Sequence, residues 1–271
     1  LHIAPSTYYH CQQQRHHPDK RSARAQRDDW LKREIQRVYD ENHQVYGVRK
    51  VWRQLLREGI RVARCTVARL MAVMGLAGVL RGKKVRTTVS RKTVAAGDRV
   101  NRQCVAERPD QLWVADFTYV STWQGFVYVA FIIDVFAGYI VGWRVSSSME
   151  TTFVLDALEQ ALWARRPSGT VHHSDKGSQY VSLAYTQRLK EAGLLASTGS
   201  TGDSYDNAMA ESINGLYKAE VIHRKSWKNR AEVELATLTW VDWYNNRRLL
   251  ERLGHIPPAE AEKAYYASIG N

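Results

Sequence analysis

The sequence has few of the features that mark a membrane or secreted protein. No apolar run approaches the ~20 residues that a membrane-spanning helix needs, and the longest is "GFVYVAFII". No signal peptide is visible. The three cysteines, Cys11, Cys65 and Cys104, are far apart and form no C-x-x-C pair. A zinc site that joins them to His16 and His17 would have no standard ligand spacing. We therefore expect a cytoplasmic protein without disulfides or a membrane anchor.

Acidic residues are scarce in the first part of the chain. Residues 1–110 carry 24 Lys and Arg against 10 Asp and Glu, a net charge of +14. Residues 111–271 carry 15 against 17, a net charge of −2, so the whole chain has +12. An excess of positive charge confined to one segment predicts a polyanionic partner, DNA or RNA. The alternative is a solvated basic face without a partner.

Composition and periodicity divide the chain into four segments. Residues 1–26 are rich in Gln, His and Arg and are expected to form a polar, poorly ordered tail. Residues 27–80 show the apolar spacing of helices. Residues 81–110 have no clear period and are strongly basic, which predicts an extended linker. Residues 111–271 combine strand and helix patterns and predict a larger domain.

Two short helices around a glycine turn predict a helix-turn-helix within residues 27–80. We expect the first over Val48–Glu58 and the second over Cys65–Met74, with Gly59 and Gly75 ending them. Basic side chains on both helices are candidate DNA contacts. These residues are Arg49, Lys50, Arg53 and Arg57 on the first helix, and Arg64 and Arg69 on the second. A helical hairpin with a solvated cationic face is the alternative.

The second half predicts a sandwich of helices on a mixed sheet. Three strands come first and are followed by alternating helices and strands. The strands are expected over 111–120, 125–136, 139–146, 170–173 and 194–197, and the helices over 150–165, 181–192, 207–220 and 230–245. The last helix is expected to pack through Leu235, Leu238, Trp240 and Val241.

Three carboxylates stand out in this half. Asp116 lies in the apolar strand "LWVADFTYV", Asp175 follows a strand in "HHSDKGSQY", and Glu211 lies on a helix in "YDNAMAESINGLYKAE". Like charges that lie close together are tolerable only with cations between them. The alternative for Asp175 is a turn-forming aspartate. His172 and His173 are interpreted as filling the strand, not as metal ligands.

The helix that carries Glu211 groups further polar side chains. Asn207, Glu211, Asn214 and Lys218 follow one another at steps of four, three and four residues and therefore share one face. An ammonium group two turns beyond Glu211 is suited to holding a phosphate. Asp134 lies on the neighbouring strand and is expected either to support Asp116 or to have a purely structural role. Asn207 and Asn214 are expected to support the carboxylates from the helix.

These motifs together resemble the integrase-like transposases of bacterial insertion elements, in particular the larger OrfB-type product of two-frame elements. The resemblance is carried by "WVADFTYV", "HHSDKGSQY", the 35 residues between Asp175 and Glu211, and the lysine seven residues after Glu211. The upstream "YGVRKVWRQL" and the downstream "WVDWYNNRR" extend it to nearly the whole chain beyond about residue 27.

The resemblance implies a ribonuclease-H-like mixed five-stranded sheet flanked by helices, preceded by an all-α helix-turn-helix domain. It also implies that Asp116, Asp175 and Glu211 bind two Mg²⁺ ions, with Mn²⁺ as a substitute, and that Lys218 lies on the DNA. The implied reaction is nicking at the element ends, followed by strand transfer from the freed 3′-hydroxyl.

The implied partners are the terminal inverted repeats and target DNA, other copies of the chain in a synaptic complex, and the upstream OrfA product or a fusion to it. A nucleoid-associated location follows. Two other functions fit the same residues. One is a ribonuclease-H-like nuclease without strand joining, and the other is a DNA-binding regulator with an inert core.

Overall fold

The computed structural model describes residues 4–17, 21–80, 82, 105–175, 177–198 and 208–270. Cys104, Asn207 and most of the predicted linker lie outside these ranges. The chain divides into two compact units, Leu1–Val79 and Leu80–Asn271. None of the helices in the described ranges is long and apolar enough to cross a membrane.

The first unit is built from helices. They are α1 (Pro5–His16), α2 (Ala23–Glu41), α3 (Val48–Arg57) and α4 (Arg64–Val73). Apolar side chains at helical spacing on the last three form its core, because each helix buries one stripe against the other two. The fully buried members are Leu31, Ile35, Val38, Val51, Leu55, Val67, Leu70 and Met71.

The predicted pair of short helices agrees with α3 and α4 to within one residue at each end. Gly59 and Gly75 follow them with φ angles of 82° and 68°, the left-handed region that glycine adopts without a steric penalty. Ala63 precedes α4 and makes no side-chain capping bond. The glycines therefore set the two helix ends, while the beginning of α4 is left without a side-chain cap.

Helix α1 differs from the expected unstructured tail. It begins with Pro5 in its first turn and contains no buried residue. Proline fits the first turn of a helix because its fixed φ suits the position and its missing N–H would have no partner there. Hydrophobic periodicity cannot detect such a helix, since the helix has no apolar face.

The second unit contains a five-stranded mixed sheet. Its strands are β1 (Leu112–Thr122), β2 (Gly125–Asp134), β3 (Tyr139–Ser146), β4 (Val171–Ser174) and β5 (Leu195–Thr198). Their order is β3-β2-β1-β4-β5. The first three strands pair antiparallel, whereas β4 pairs parallel to both β1 and β5. This order and these directions confirm the predicted ribonuclease-H-like sheet.

Helices cover both faces of the sheet. They are α5 (Thr151–Arg165), α6 (Leu183–Glu191), α7 (Ala208–Glu220), α8 (Arg230–Asn246) and α9 (Pro258–Ile269). Trp113 and Ile132 pack with Phe153 of α5 in the core on one face. On the other face, the Phe131 ring lies 5.2 Å from that of Tyr217 in α7 and 6.0 Å from that of Trp240 in α8, measured between centroids.

Helix α8 packs through only part of the predicted set. Trp240 and Val241 are buried, as predicted, whereas Leu235 and Leu238 are 65% and 52% exposed, so their assignment to the packing side is wrong. Val233 and Thr237 complete the buried face. Because Thr237 is polar, the spacing of apolar residues alone does not identify this face. Its hydroxyl is satisfied internally, by the Tyr217 hydroxyl at 2.6 Å.

The end of α7 is fixed by a buried ion pair. Glu220 accepts hydrogen bonds from Arg248 Nε at 3.0 Å and from Trp240 Nε1 at 3.1 Å. Both charged side chains are almost fully buried. Removing one partner would leave the other charge without compensation, which is strongly destabilising. The pair therefore fixes α7 against α8 and the segment that follows α8.

Close packing of β3 against α5 predicts a large effect of Gly142→Ala. A Cβ at Gly142 would collide with the carbonyl oxygen of Ala157 and lie 3.0 Å from the Ala161 Cβ. We expect the free energy of unfolding to fall by about 3 kcal/mol, at the upper end of overpacking effects. Urea unfolding followed by tryptophan fluorescence measures it.

The matched control is Gly270→Ala. There the added Cβ would meet nothing closer than the Tyr266 carbonyl oxygen at 3.5 Å. Its effect should stay within about 0.5 kcal/mol, as for ordinary surface substitutions. Equal stability of Gly142→Ala and the parent protein would contradict this account of the β3–α5 contact.

Candidate active site and nucleic-acid interface

The register of β1 against β4 brings Asp116 and Asp175 side by side. The parallel pairing runs from Leu112↔Val171 to Ala115↔Ser174. Asp116 and Asp175 are the next residues on their strands. Because paired strands lie about 4.8 Å apart, the backbones at these two residues are neighbours.

Asp116 is held by two hydrogen bonds. Its Oδ1 accepts from the Phe117 backbone N–H at 2.8 Å, and its Oδ2 accepts from Asn214 Nδ2 at 2.8 Å. Asn214 lies three residues after Glu211 on α7. The hydrogen bond from Asn214 therefore attaches α7 to the strand that carries the first carboxylate.

Burial and like charge raise the pKa of Asp116 to about 7. Burial is the largest cause, and the negative charge of Asp175 is the next. The hydrogen bonds from Asn214 and Phe117 act in the opposite direction, and Glu211 raises the pKa further by a smaller amount. Without a cation nearby, the carboxyl group of Asp116 is thus much harder to ionise than an ordinary aspartate.

Asp175 is held by the turn that follows it. Its Oδ1 accepts from the Gly177 N–H at 2.9 Å. A Cβ at Gly177 would lie 2.9 Å from the same oxygen, closer than real Cβ contacts, so glycine suits this position. Burial of the carboxyl group raises the pKa of Asp175, while the Gly177 hydrogen bond and the charge of His173 oppose that rise.

Glu211 lies in the first turn of α7 and is half-buried. Within the described ranges, no three His, Cys, Asp or Glu side chains come close enough together to hold a metal ion. The structure thus places Asp116 beside Asp175, and Glu211 on the helix that contacts Asp116, without bringing the three carboxylates into one cluster.

His172 and His173 are part of the sheet. His172 Nε2 lies 3.0 Å from the Tyr185 hydroxyl, and burial lowers the pKa of His172 to about 4. His173 Nδ1 lies 3.0 Å from the Ser197 hydroxyl. Their interpretation as strand-filling residues agrees with these contacts.

The structure does not bring Asp134 to the candidate site. Asp134 pairs with Trp113, whereas the partner of Asp116 on β2 is Phe131, three residues before Asp134. Its carboxylate accepts hydrogen bonds from the backbone N–H groups of Asp110, at 2.6 Å, and Phe136, at 3.0 Å. Asp134 therefore supports the turn after β2 instead of Asp116. Asn207, the other predicted supporting residue besides Asn214, lies outside the described residues.

Lys218 is half-buried near the end of α7. Its Nζ lies 5.2 Å from the centroid of the Tyr119 ring on β1. An ammonium group over an aromatic face is attracted by the negative charge of that face. The contact fixes Lys218 beside the strand that carries Asp116.

The predicted cationic residues of α3 and α4 lie on the surface of the first unit. Arg49, Arg53, Arg57, Arg64 and Arg69 are exposed, and Lys50 is half-buried. Two of them cover aromatic rings. The Arg53 guanidinium lies 4.8 Å from the Trp52 ring centroid, and Lys50 Nζ lies 5.3 Å from that of Tyr46. Arg69 instead donates to both oxygens of Asp28 at 2.9 Å.

A basic pocket of about 600 Å³ lies where α2 meets the beginning of α4. Its lining includes Arg24, Arg27, Arg61 and Arg69, and one acidic residue, Asp28. Only Arg69 was among the predicted contacts. Arg24, Arg27 and Arg61 come from a helix and a loop far apart in sequence, so no local pattern groups them.

Family models match both units. A model described as HTH-like domain matches residues 26–84. Two models described as integrase core domain match residues 106–204 and 192–258. The matched ranges therefore include the paired aspartates, Glu211 and Lys218.

Curated relatives extend the similarity to the whole chain. The chain is 97% identical over 271 residues to the transposase for insertion sequence element IS629 of Shigella sonnei, covering 100% of this chain and 92% of the relative. It is 33% identical to the transposase for IS904 of Lactococcus lactis, covering 86% of this chain and 93% of the relative. The chain belongs to the transposases of bacterial insertion sequences.

Among solved structures, the transposase is similar to the HTLV-2 integrase catalytic core domain. The TM-score is 0.44, with 13% identity over 58% of this chain and 98% of that chain. The integrase core identified by the family models implies a polynucleotidyl transferase that depends on a divalent metal ion. The HTH-like and integrase domains further imply DNA binding.

The raised pKa of Asp116 predicts a pH-dependent stability of the metal-free transposase. Between about pH 4 and pH 7, the folded protein keeps a proton on Asp116 that the unfolded chain releases. The free energy of unfolding should therefore fall as pH rises through this window. Asp116→Asn should make that fall smaller, which urea unfolding in EDTA at several pH values measures.

Asp134 provides the parallel control, because burial raises its pKa to about 7 as well. Each single Asn variant should remove its own part of the pH dependence, and the double variant should remove both. If Asp116→Asn keeps the full pH dependence of the parent protein, the raised pKa of Asp116 is refuted.

Proposed function

We propose that this transposase nicks DNA at the ends of its insertion element and joins the freed 3′-hydroxyl to a second strand. The proposed catalytic residues are Asp116, Asp175 and Glu211. The observation that carries the proposal is the β1–β4 register, which makes two carboxylates neighbours at the end of a parallel strand pair. The Asn214 hydrogen bond to Asp116 supports it, because it links the helix of Glu211 to the same strand.

The donor groups fit divalent cations. Mg²⁺ is a hard cation that binds oxygen ligands, above all carboxylates. Burial, and after it the charge of Asp175, raises the pKa of Asp116, and a bound cation would offset both. Asn214 Oδ1 is buried and has no hydrogen-bond partner among the described residues, so it adds an oxygen beside Asp116. We propose that the three carboxylates hold two Mg²⁺ ions, with Mn²⁺ as a substitute. When bound, such ions activate the attacking oxygen and stabilise the leaving oxygen.

The surrounding residues of the chain position the carboxylates. Phe117 and Asn214 hold the two oxygens of Asp116, and Gly177 holds one oxygen of Asp175. These contacts fix the carboxylates before substrate arrives, which lowers the cost of organising the site during the reaction. Glu211, in the first turn of α7, is proposed as the third carboxylate of the metal site.

Lys218 is proposed to hold the DNA strand next to the carboxylates. It lies two turns beyond Glu211 on α7, a rise of about 10 Å. Its ammonium group is placed by the Tyr119 ring. We propose that it contacts a phosphate of the strand whose end reacts.

The first unit is proposed to bind the terminal inverted repeats. Exposed arginines of α3 and α4 and the pocket formed by Arg24, Arg27 and Arg61 offer positive charge to phosphates. Pairing of two element ends would use further copies of the chain in a synaptic complex. The upstream OrfA product, as a separate chain or a fusion, would assist recognition of the ends.

The test uses a supercoiled plasmid that carries two element ends. The full chain should nick it and join ends in the presence of Mg²⁺ or Mn²⁺. Asp175→Asn and Glu211→Gln should each lower both activities at least about 10³-fold, because metal-ligand loss costs several kcal/mol in the transition state.

Asp156→Asn is the control, since Asp156 is an exposed carboxylate on α5 that pairs with Arg144. It should nick and join like the parent protein. Nicking without any joining would support the nuclease alternative instead. Binding without nicking in either metal would support an inert DNA-binding regulator.

A salt titration tests the DNA-binding role of the first unit. Arg64→Gln removes an exposed charge at the beginning of α4. If Arg64 contacts a phosphate, the slope of log K against log salt concentration should fall by roughly 0.9. Lys263→Gln, an exposed position on α9, should leave the slope unchanged. Equal slopes for Arg64→Gln and the parent protein would exclude that contact.

A further inference from the structure

The hairpin formed by β1 and β2 exposes three aromatic side chains. Tyr119 is 54% exposed, Trp123 72% and Phe126 57%. The Tyr119 and Phe126 rings meet edge to face, with centroids 5.5 Å apart. Isolated exposed apolar residues are common, but a group of aromatic rings at one end of a hairpin marks an interaction surface. We call these three residues the hairpin surface.

Lysines accompany these rings. Lys218 Nζ lies over the Tyr119 ring, and Lys228 Nζ lies 6.0 Å from the centroid of Trp123. The Trp123 backbone N–H donates to the Trp227 carbonyl oxygen at 3.0 Å, which fixes the tip of the hairpin to the segment after α7. The surface therefore combines flat apolar faces with positive charge on a supported backbone.

Tyr119 connects the hairpin surface to the strand of the proposed catalytic site. It follows Asp116 by three residues, about 10 Å along β1, and the two side chains point to opposite faces of the sheet. The pairing of β4 with β1 ends at Ala115. Beyond Ala115, β1 pairs only with β2 among the described strands. Lys218 of α7 can therefore reach the Tyr119 ring around the open side of β1.

This combination of groups suits an unpaired nucleobase. Aromatic side chains stack on bases of any sequence, and adjacent lysines hold the phosphates between them. Bases inside a duplex have no free face for such stacking, so the ligand must be single-stranded. A protein partner would pack on the same rings, but lysine is depleted in protein–protein interfaces, so the two lysines favour a nucleic acid.

We propose that the hairpin surface stacks on unpaired bases of the DNA strand held at the catalytic site. The proposal rests on the proposed function, because it takes the end of a reacting strand as the ligand. Trp123, the most exposed of the three rings, would contribute most. Stacking would hold the end in place after nicking and before joining.

The experiment compares two fluorescent DNA probes, a blunt duplex and the same duplex with a short unpaired 3′ tail. The full chain should bind the tailed probe more tightly, as measured by anisotropy in Ca²⁺. Trp123→Leu should weaken binding of the tailed probe about tenfold and leave the blunt probe unchanged, whereas Trp123→Phe should retain most of the preference.

Trp163→Leu is the matched control, because Trp163 is 82% exposed on α5. It should bind both probes like the parent protein. The slope of log K against log salt should be unchanged in Trp123→Leu, since stacking releases no counterions, and lower by roughly 0.7 in Lys228→Gln. Cross-linking of a 5-iodouracil in the tail should map to the hairpin surface.

Three results would overturn the proposal. They are equal loss of affinity for both probes in Trp123→Leu, no loss for either, and a change in oligomeric state by sedimentation that identifies the surface as a subunit interface. The plasmid assay separates this failure from failure of the proposed function. If the parent protein nicks and joins while Trp123→Leu keeps the tail preference, only the stacking proposal fails. If the parent protein does neither, the proposed function fails.

Discussion

The parallel pairing of β1 with β4 is the constraint on which the candidate site depends. It ends at Ala115↔Ser174, so the next residue on each strand is an aspartate beside another aspartate. Burial of Asp116 and the neighbouring charge of Asp175 both disfavour its ionised form and raise its pKa to about 7. Hydrogen bonds from Asn214, Phe117 and Gly177 hold the two carboxylates in place against that cost.

Helix α7 joins the core of the second unit to the candidate site. Its last residue, Glu220, is bound by Arg248 and Trp240 in the interior, and Tyr217 packs on Phe131 of the sheet. Asn214 in the middle of the helix donates to Asp116, and Glu211 lies in its first turn. The packing that fixes α7 on the sheet therefore also sets the position of Glu211 relative to Asp116.

Sequence patterns predicted those features that depend on local chemistry. Glycines at 59 and 75 marked two helix ends, and apolar runs marked the strands of a sheet whose five-stranded, mixed character the family resemblance implied. Patterns failed where tertiary contacts decide the outcome. Thr237 is polar yet buried because Tyr217 satisfies its hydroxyl, and Asp134 lies on the strand next to Asp116 but three residues from the position that pairs with it. The arginine pocket combines residues that only folding brings together.

The distribution of charge suggests how affinity and positioning are divided. Residues 1–110 carry a net charge of +14, whereas residues 111–271 carry −2, so charge-driven DNA affinity belongs mainly to the first segment. A strongly basic surface around the carboxylates would pair with them and compete with metal ions. Aromatic rings hold DNA without adding charge. The proposed stacking on Tyr119 and Trp123, each beside a lysine, would therefore position a strand end and leave the carboxylates free for cations.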